Sequence, residues 1–221
     1  MTLRTPFQAP TVPRISEKPG NSNTVDEIYL SVDIETDGPI PGEYSMLSFA
    51  LVYAGRRAGA NFERPCSYDV SFYSELQPIS TRYEEEALKI NGLDREKLAR
   101  QGASPQDAME AAAVWIRETA AGAQPILVAY PLSFDWSFLH WYFVNFTTGG
   151  SPFRHSGCFD LKTAVAVKAG RTITEASRSK LPERLRTARH HSHHALDDAI
   201  EQAEIFANLI EWEPSRSEEA P

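Results

Sequence analysis

The hydrophobic pattern changes its period along this 221-residue chain, and that change constrains the fold more than any other feature. Period-two stretches, typical of strands, come first, at residues 28–35, 46–53 and 68–76, with turn-rich segments between them. Helical patterns then alternate with short apolar runs at residues 126–130 and 159–167. This order predicts an α/β fold with one mixed sheet, in which a three-strand antiparallel meander continues into parallel strands flanked by helices. The predicted helices cover residues 83–90, 105–116, 134–146 and 195–210, and Ser104 is the predicted N-cap of the second of them.

The composition of the two ends predicts one domain between disordered segments. Residues 1–26 contain four prolines and much polar filler, and residues 213–221 are similar, so neither stretch can bury enough apolar surface to fold. Residues 27–212 are long enough for one domain with a hydrophobic core. No apolar run reaches the roughly 18 residues of a membrane span, and no signal peptide is recognisable.

Cysteine content and charge exclude several classes of protein. Cys66 and Cys158 are too few for a disulfide framework or a zinc knuckle, so the expected location is the reducing cytoplasm. A net charge of −8 argues against a protein that coats nucleic acid. It leaves room for an enzyme that binds the end of one strand in a local basic groove.

Asp33 and Glu35 form the first candidate site. Two residues apart on a predicted strand, they project from one face, while the other face is apolar. Paired carboxylates beside a core repel each other unless a cation or a proton lies between them, and a hard divalent cation suits such oxygens. The alternative is a strand end with two solvent-exposed acids.

Asp135 is the second candidate, at the start of the helix that follows the short strand 126–130. An acid in the first turn is favoured by the helix dipole, so simple capping is one interpretation. Open sheets also place ligands where a strand gives way to a helix, and this makes Asp135 a candidate metal ligand.

The third candidate lies in the histidine-rich segment 190–198, which runs directly into the last predicted helix. A zinc tract is disfavoured because no cysteine is close in the sequence. Helical phase places Asp197 on a polar stripe with Glu201 that faces water, and it places Asp198 on the flank of the buried face. We therefore expect Asp198 to point inward, with a preceding histidine beside it as a base.

Together these residues supply four acids and a histidine from one strand and two helices. Two cations about 3.5 to 4 Å apart need this many carboxylates, and such a pair supports in-line attack of water on a phosphodiester. The sequence resembles the DnaQ-like, DEDDh-type 3′–5′ exonucleases over about residues 28–210. The resemblance is carried by three motifs in order: Asp33-Ile34-Glu35-Thr36, Phe134-Asp135 with Phe138-Leu139, and His193-His194-Ala195-Leu196-Asp197-Asp198-Ala199.

The resemblance implies a ribonuclease H-like fold and a role for each motif residue. The family pattern His-x-Ala-x-x-Asp selects His193 and Asp198. By analogy Asp33 would bridge two Mg²⁺ or Mn²⁺ ions, Glu35 and Asp198 would complete the shell of the first ion, and Asp135 would hold the second. His193 would take the proton from the attacking water, and the product would be a 5′-mononucleotide released from a single-stranded 3′ end.

The resemblance also implies further contacts. Thr36, with Met46 or Leu47, would contact the terminal sugar and base. A homodimer is compatible with it. One departure is Tyr130-Pro131, where the family usually has His-Asn before the second motif.

The long segment from Lys162 to Arg189 carries eight basic and two acidic residues, a charge of +6 inside an acidic chain. It is predicted either to guide a nucleic-acid backbone towards the acids or to be a solvated surface arm. DNA and RNA are not distinguished by any residue. Alternative functions are an endonuclease of the ribonuclease H type and a catalytically inactive module that binds nucleic acid or a polymerase.

Overall fold

The computed structural model describes residues 25–213 of the chain. The predicted disordered arm and tail lie almost entirely outside these residues, and the boundaries at 27 and 212 stay predictions. The six strands are β1 (Glu27–Thr36), β2 (Met46–Ala58), β3 (Asn61–Glu63), β4 (Ser71–Glu75), β5 (Gln124–Ala129) and β6 (Cys158–Asp160). The six α-helices are α1 (Glu85–Asn91), α2 (Arg95–Gln101), α3 (Pro105–Ala120), α4 (Leu132–Phe146), α5 (Leu161–Lys168) and α6 (Ala195–Glu211).

The strands form one mixed sheet in the order β3-β2-β1-β5-β6, and β4 also pairs with β2. β1, β2 and β4 are antiparallel, whereas β5 is parallel to β1 and β6 is parallel to β5. The predicted fold class, an antiparallel meander that continues into parallel strands, is confirmed.

Each face of β1 contributes to a separate hydrophobic core. Val32 and Ile34 face α3 and α4, in a cluster that includes Met109, Ile116 and Phe138. Tyr29, on the opposite face, lies in the cluster that contains residues of α5 and α6. Both faces of the central strand β1 are therefore covered by helices. The period-two pattern of its sequence does not reveal this by itself.

β2 extends further than its sequence pattern indicates. The pattern ends at Tyr53 because Gly55 follows, but the strand continues through a bulge in its pairing with β1. Gly55 has φ 135°, which favours glycine, and a Cβ there would lie 2.6 Å from the ring of Phe62. The residues beyond the bulge pair with β3, a short strand that the sequence analysis did not predict.

The ends of the helices mostly agree with the capping signals in the sequence. Ser104 caps α3 by accepting a hydrogen bond from the N–H of Asp107, as its position before Pro105 predicts. The short helix α2 was not predicted because only Leu98 is buried in it, so no helical period is visible. Among residues 25–213, no helix is both long and apolar enough to span a bilayer.

Asp160 joins the starts of two helices next to the sheet. Its Oδ1 accepts from the N–H of Thr163 in α5, and its Oδ2 accepts from the N–H of Leu132 in α4, each at 2.6 Å. The N-cap residue of α4 is Pro131, which has no side-chain cap to offer. Asp160 therefore fixes the helix start that carries Asp135.

Asp160→Ala is expected to lower the free energy of unfolding by about 2 kcal/mol, because two backbone donors lose their partner and each cap contributes about 1 kcal/mol. Asp94→Ala is a matched control, since Asp94 caps only α2. Urea unfolding of both variants measures the difference. An equal loss of stability in the two variants would contradict the double cap.

Candidate active site

The C-terminal half of β1 carries Asp33 and Glu35 on the face that packs against α6. Both residues lie in phase with Tyr29, which packs among residues of α6. Asp33 is buried and Glu35 is half-buried. The strand thus presents both carboxylates to the start of α6, as the period-two pattern predicts.

Asp198 lies in the first turn of α6 and is fully buried. Its Oδ1 accepts from the N–H of Ser192 (2.8 Å), and its Oδ2 accepts from the N–H of His193 (2.9 Å). His193 has φ 57°, so its backbone turns into the left-handed region immediately before the helix. The predicted inward orientation of Asp198 agrees with this placement, and Asp197 has an exposed side chain.

Three of the predicted acids converge at this point. Carboxylate oxygens of Asp33, Glu35 and Asp198 lie within 4.8 Å of one another. A second set, the ring nitrogens of His191 and His193 with an oxygen of Asp198, meets the same distance. These residues come from distant parts of the chain, and the packing of α6 against β1 brings them together.

Asp135 approaches from the other side of β1. The pairing of β1 with β5 ends at Ser31 and Val128, so the last residues of β1 are open on that edge. Asp135 is buried in the first turn of α4, and the backbone of Ile34 opposes the effect of burial on the pKa of Asp135. Its negative charge also raises the pKa of Asp33, which places it within electrostatic reach of the cluster.

Burial and mutual repulsion raise the pKa of three of these acids. Burial raises the pKa of Asp33 well above its ordinary value, and the Asp135 charge adds to this shift. Burial also raises the pKa of Glu35 to about 8 and that of Asp135 to about 7. Burial acts in the same direction on Asp198, but hydrogen bonds from His191 and Ser192 outweigh it and hold the pKa of Asp198 below its usual range. Carboxylates whose pKa values are raised this far by burial and by one another are characteristic of a functional site.

These shifts predict that the metal-free protein loses stability as the pH rises. Glu35 and Asp135 bind protons more tightly in the folded than in the unfolded chain, so the free energy of unfolding falls between about pH 5 and pH 8. Each group contributes at most about 1.4 kcal/mol per pH unit to the slope. Urea unfolding in a chelating buffer measures it, and Glu35→Gln should flatten it. An identical slope in that variant would contradict the assignment.

Two residues that the sequence analysis did not select as site residues, Gln202 and Arg178, also contact the acid cluster. Gln202 of α6 donates from Nε2 to Oδ1 of Asp33 (2.7 Å). Arg178 places Nη2 3.7 Å from the same oxygen and donates from Nη1 to Oε2 of Glu201 (2.8 Å). Gln202 lies four residues after Asp198, so helical phase places both on the same flank of α6, and the sequence carried a signal for this contact.

The placement of Glu201 on a water-facing stripe was wrong. Glu201 is buried, and its carboxylate pairs with Arg178. Helical phase gives the direction of a side chain but does not reveal a partner that arrives from a segment 23 residues away.

The basic segment 162–189 makes many contacts within the chain. Lys168 donates to the carbonyl of Leu209 at the end of α6, and Arg189 pairs with Glu204. Arg171 and Arg186 donate to backbone carbonyls of the segment itself. These contacts fold the segment against α6, and its role as a guide for nucleic acid stays a prediction.

Met46 and Leu47 are both completely buried, and their predicted contacts with a substrate stay predictions. Met46 packs in the core, and its N–H donates to the hydroxyl of Tyr142 (2.7 Å). The hydroxyl of Thr36 donates to the carbonyl of Gly38 (2.9 Å), so its first partner is the loop after β1. The predicted contact of Thr36 with the terminal nucleotide likewise stays a prediction.

The comparison with curated proteins identifies the family. The chain is 35% identical over 184 residues to the 3′–5′ DNA exonuclease Cap18 of Escherichia coli. The aligned residues make up 83% of this chain and 91% of Cap18. The chain belongs to the DnaQ-like 3′–5′ exonuclease family. No family model matches the sequence.

Solved structures agree with a DnaQ-like exonuclease fold. The nuclease domain of 3′hExo, described as a DEDDh family member bound to rAMP, superposes on this chain with a TM-score of 0.60 at 12% identity. The superposition covers 85% of this chain and 92% of the 3′hExo chain. Cell-death related nuclease 4 (CRN-4) gives a TM-score of 0.58 at 15% identity over 84% of this chain. The chain spans only 63% of the CRN-4 chain.

This DnaQ-like exonuclease differs from the family pattern before Asp135, where it has Tyr130-Pro131. The Tyr130 ring is buried, and its hydroxyl donates to the carbonyl of Ala176 (2.6 Å). The guanidinium of Arg178 lies over the same ring, 5.6 Å from its centre. Tyr130, which replaces the usual family residue, therefore anchors the basic segment beside the acid cluster.

Proposed function

We propose that this protein is a DEDDh-type 3′–5′ exonuclease that hydrolyses single-stranded DNA from its 3′ end with the help of two divalent cations. The observation that carries the proposal is the convergence of Asp33, Glu35 and Asp198, with Asp135 beside them, at the end of the central strand. The predicted product is a 5′-mononucleotide.

The donor set fits hard divalent cations such as Mg²⁺ or Mn²⁺. All four groups are carboxylates, and hard cations prefer oxygen ligands. Burial and mutual repulsion already disfavour the charged forms of Asp33, Glu35 and Asp135, so a cation between them would relieve both costs. Asp33, Glu35 and Asp198 would hold one ion, and Asp135 together with Asp33 would hold the second.

Bound there, the cations would polarise the scissile phosphodiester and lower the pKa of the attacking water. The side chains of the protein do the remaining work. His193 would accept the proton of the attacking water on a ring nitrogen, because its exposed ring lies beside Asp198. The buried carboxylates would fix the positions of the cations and, through the cations, align the scissile phosphate with that water.

DNA is the proposed substrate because the relative with 35% identity is a DNA exonuclease. RNA is the comparison that the experiment must include, because only a contact with the 2′-hydroxyl lets a protein distinguish RNA from DNA. A cytoplasmic location and a homodimer stay predictions from the sequence.

The test uses 5′-labelled single strands of matched DNA and RNA with Mg²⁺, resolved by product length. We expect stepwise shortening of DNA from the 3′ end, slower shortening of RNA, and a block by a 3′-phosphate. Internal cuts would instead indicate an endonuclease of the ribonuclease H type. Binding of the strand without cleavage would indicate an inactive binding module.

A further inference from the structure

Arg178 carries a fixed positive charge into the acid cluster. Its guanidinium donates to Glu201 (2.8 Å) and to the carbonyl of Tyr130 (3.5 Å), and Nη2 lies 3.7 Å from Oδ1 of Asp33. The Arg178 side chain is only 19% exposed, and that of Glu201 is 11% exposed. A pair this buried keeps its geometry, because separating it would leave an unpaired charge away from water.

All the terminal nitrogens of Arg178 face partners within the chain. Nη1 lies 2.8 Å from Glu201 and 2.6 Å from Nδ1 of His191, and Nη2 lies between Asp33 and the Tyr130 carbonyl. A guanidinium with these partners is committed to the protein. Its charge therefore acts on the carboxylates that it faces.

The charge of Arg178 reaches the whole cluster. Burial dominates the raised pKa values of Asp33, Glu35 and Asp135, and Arg178 opposes that effect at each of them. It also contributes to the lowered pKa of Asp198, after the hydrogen bonds that this residue accepts. The cluster therefore has a built-in counter-charge before any dication binds.

We propose that Arg178 is a positioning residue, a fixed cation that Glu201 holds against the acid cluster, and that it weakens the affinity of the cluster for divalent cations. The proposal rests on the proposed function, because it assumes that the cluster binds those cations. A positive charge a few ångströms from the ligands repels a dication, and the repulsion is weakly screened in a buried site. The same charge stabilises the metal-free fold by offsetting the repulsion among the carboxylates.

The test measures Mn²⁺ binding directly, from the electron paramagnetic resonance signal of free Mn²⁺, at pH 8 and without substrate. Arg178→Met is expected to lower the dissociation constant roughly tenfold, which corresponds to about 1.4 kcal/mol. Arg178→Lys keeps the charge and should stay near the wild-type value. Glu201→Gln removes a negative charge but keeps Arg178, so it should weaken binding several-fold.

The double variant Arg178→Met/Glu201→Gln separates charge from structure. Its pair has the same net charge as the wild-type pair, so the dissociation constant should return close to the wild-type value. Disruption of the fold would instead make the double variant the weakest binder. If Arg178→Met does not fold, Glu201→Gln and Arg178→Lys still carry the test.

Unchanged or weaker Mn²⁺ binding by folded Arg178→Met would overturn this inference alone, provided that the wild-type protein binds Mn²⁺ and Asp33→Asn does not. Failure of the wild-type protein to bind Mn²⁺ would overturn the proposed function and the inference together.

Discussion

Asp33→Asn is expected to reduce the rate of nucleotide release from single-stranded DNA by at least about a thousandfold. The variant removes the carboxylate that lies between Glu35, Asp135 and Asp198, and electrostatic stabilisation by a metal site contributes several kcal/mol to catalysis. The fold should be retained, because asparagine has the same shape and its amide oxygen can accept from Gln202.

Two further measurements make this result specific to the site. The melting temperature of Asp33→Asn without metal should be higher than that of the wild type, because an unfavourably buried acid is removed. The rise of the wild-type melting temperature with Mn²⁺ should disappear. Asp197→Asn is the matched control, since Asp197 lies next to Asp198 with an exposed side chain. Activity close to wild type in Asp33→Asn would refute the assignment of the site.

Most of the fold follows from local patterns in the sequence. The period of two placed β1, and the N-cap at Ser104 placed the start of α3 to the residue. The extension of β2 past Gly55 could not be predicted, because a bulge glycine in a strand looks like a turn glycine in the sequence. The difference between them is the Phe62 ring that packs against it, which is a tertiary contact.

The candidate site also contains features that the local sequence predicts and features that depend on tertiary contacts. Helical phase predicts that Asp198 points inward, and Asp198 is buried in the structure, because the direction of a helical side chain depends only on its position along the helix. The same reasoning failed for Glu201, whose burial depends on the charge that Arg178 brings from the basic segment. Arg178 is one of eight similar residues there, and only the three-dimensional structure distinguishes it.

The identity of the general base depends on two neighbouring histidines. Nδ1 of His191 lies 2.8 Å from Oδ2 of Asp198 and 2.6 Å from Arg178, so this nitrogen is occupied. The ring of His193 is exposed, and its backbone N–H holds Asp198. These contacts favour His193 as the proposed base, in agreement with its place in the third motif.

His193→Asn should lower kcat by about 10² to 10⁴, the usual contribution of a general base, and leave Mn²⁺ affinity near the wild-type value. Asparagine tolerates the positive φ at this position, so the backbone contact to Asp198 should be kept. His191→Asn is the matched comparison, and it should mainly weaken Mn²⁺ binding, because His191 contacts a ligand rather than the substrate. A kcat that falls in His191→Asn and stays at the wild-type value in His193→Asn would assign the base to His191 instead.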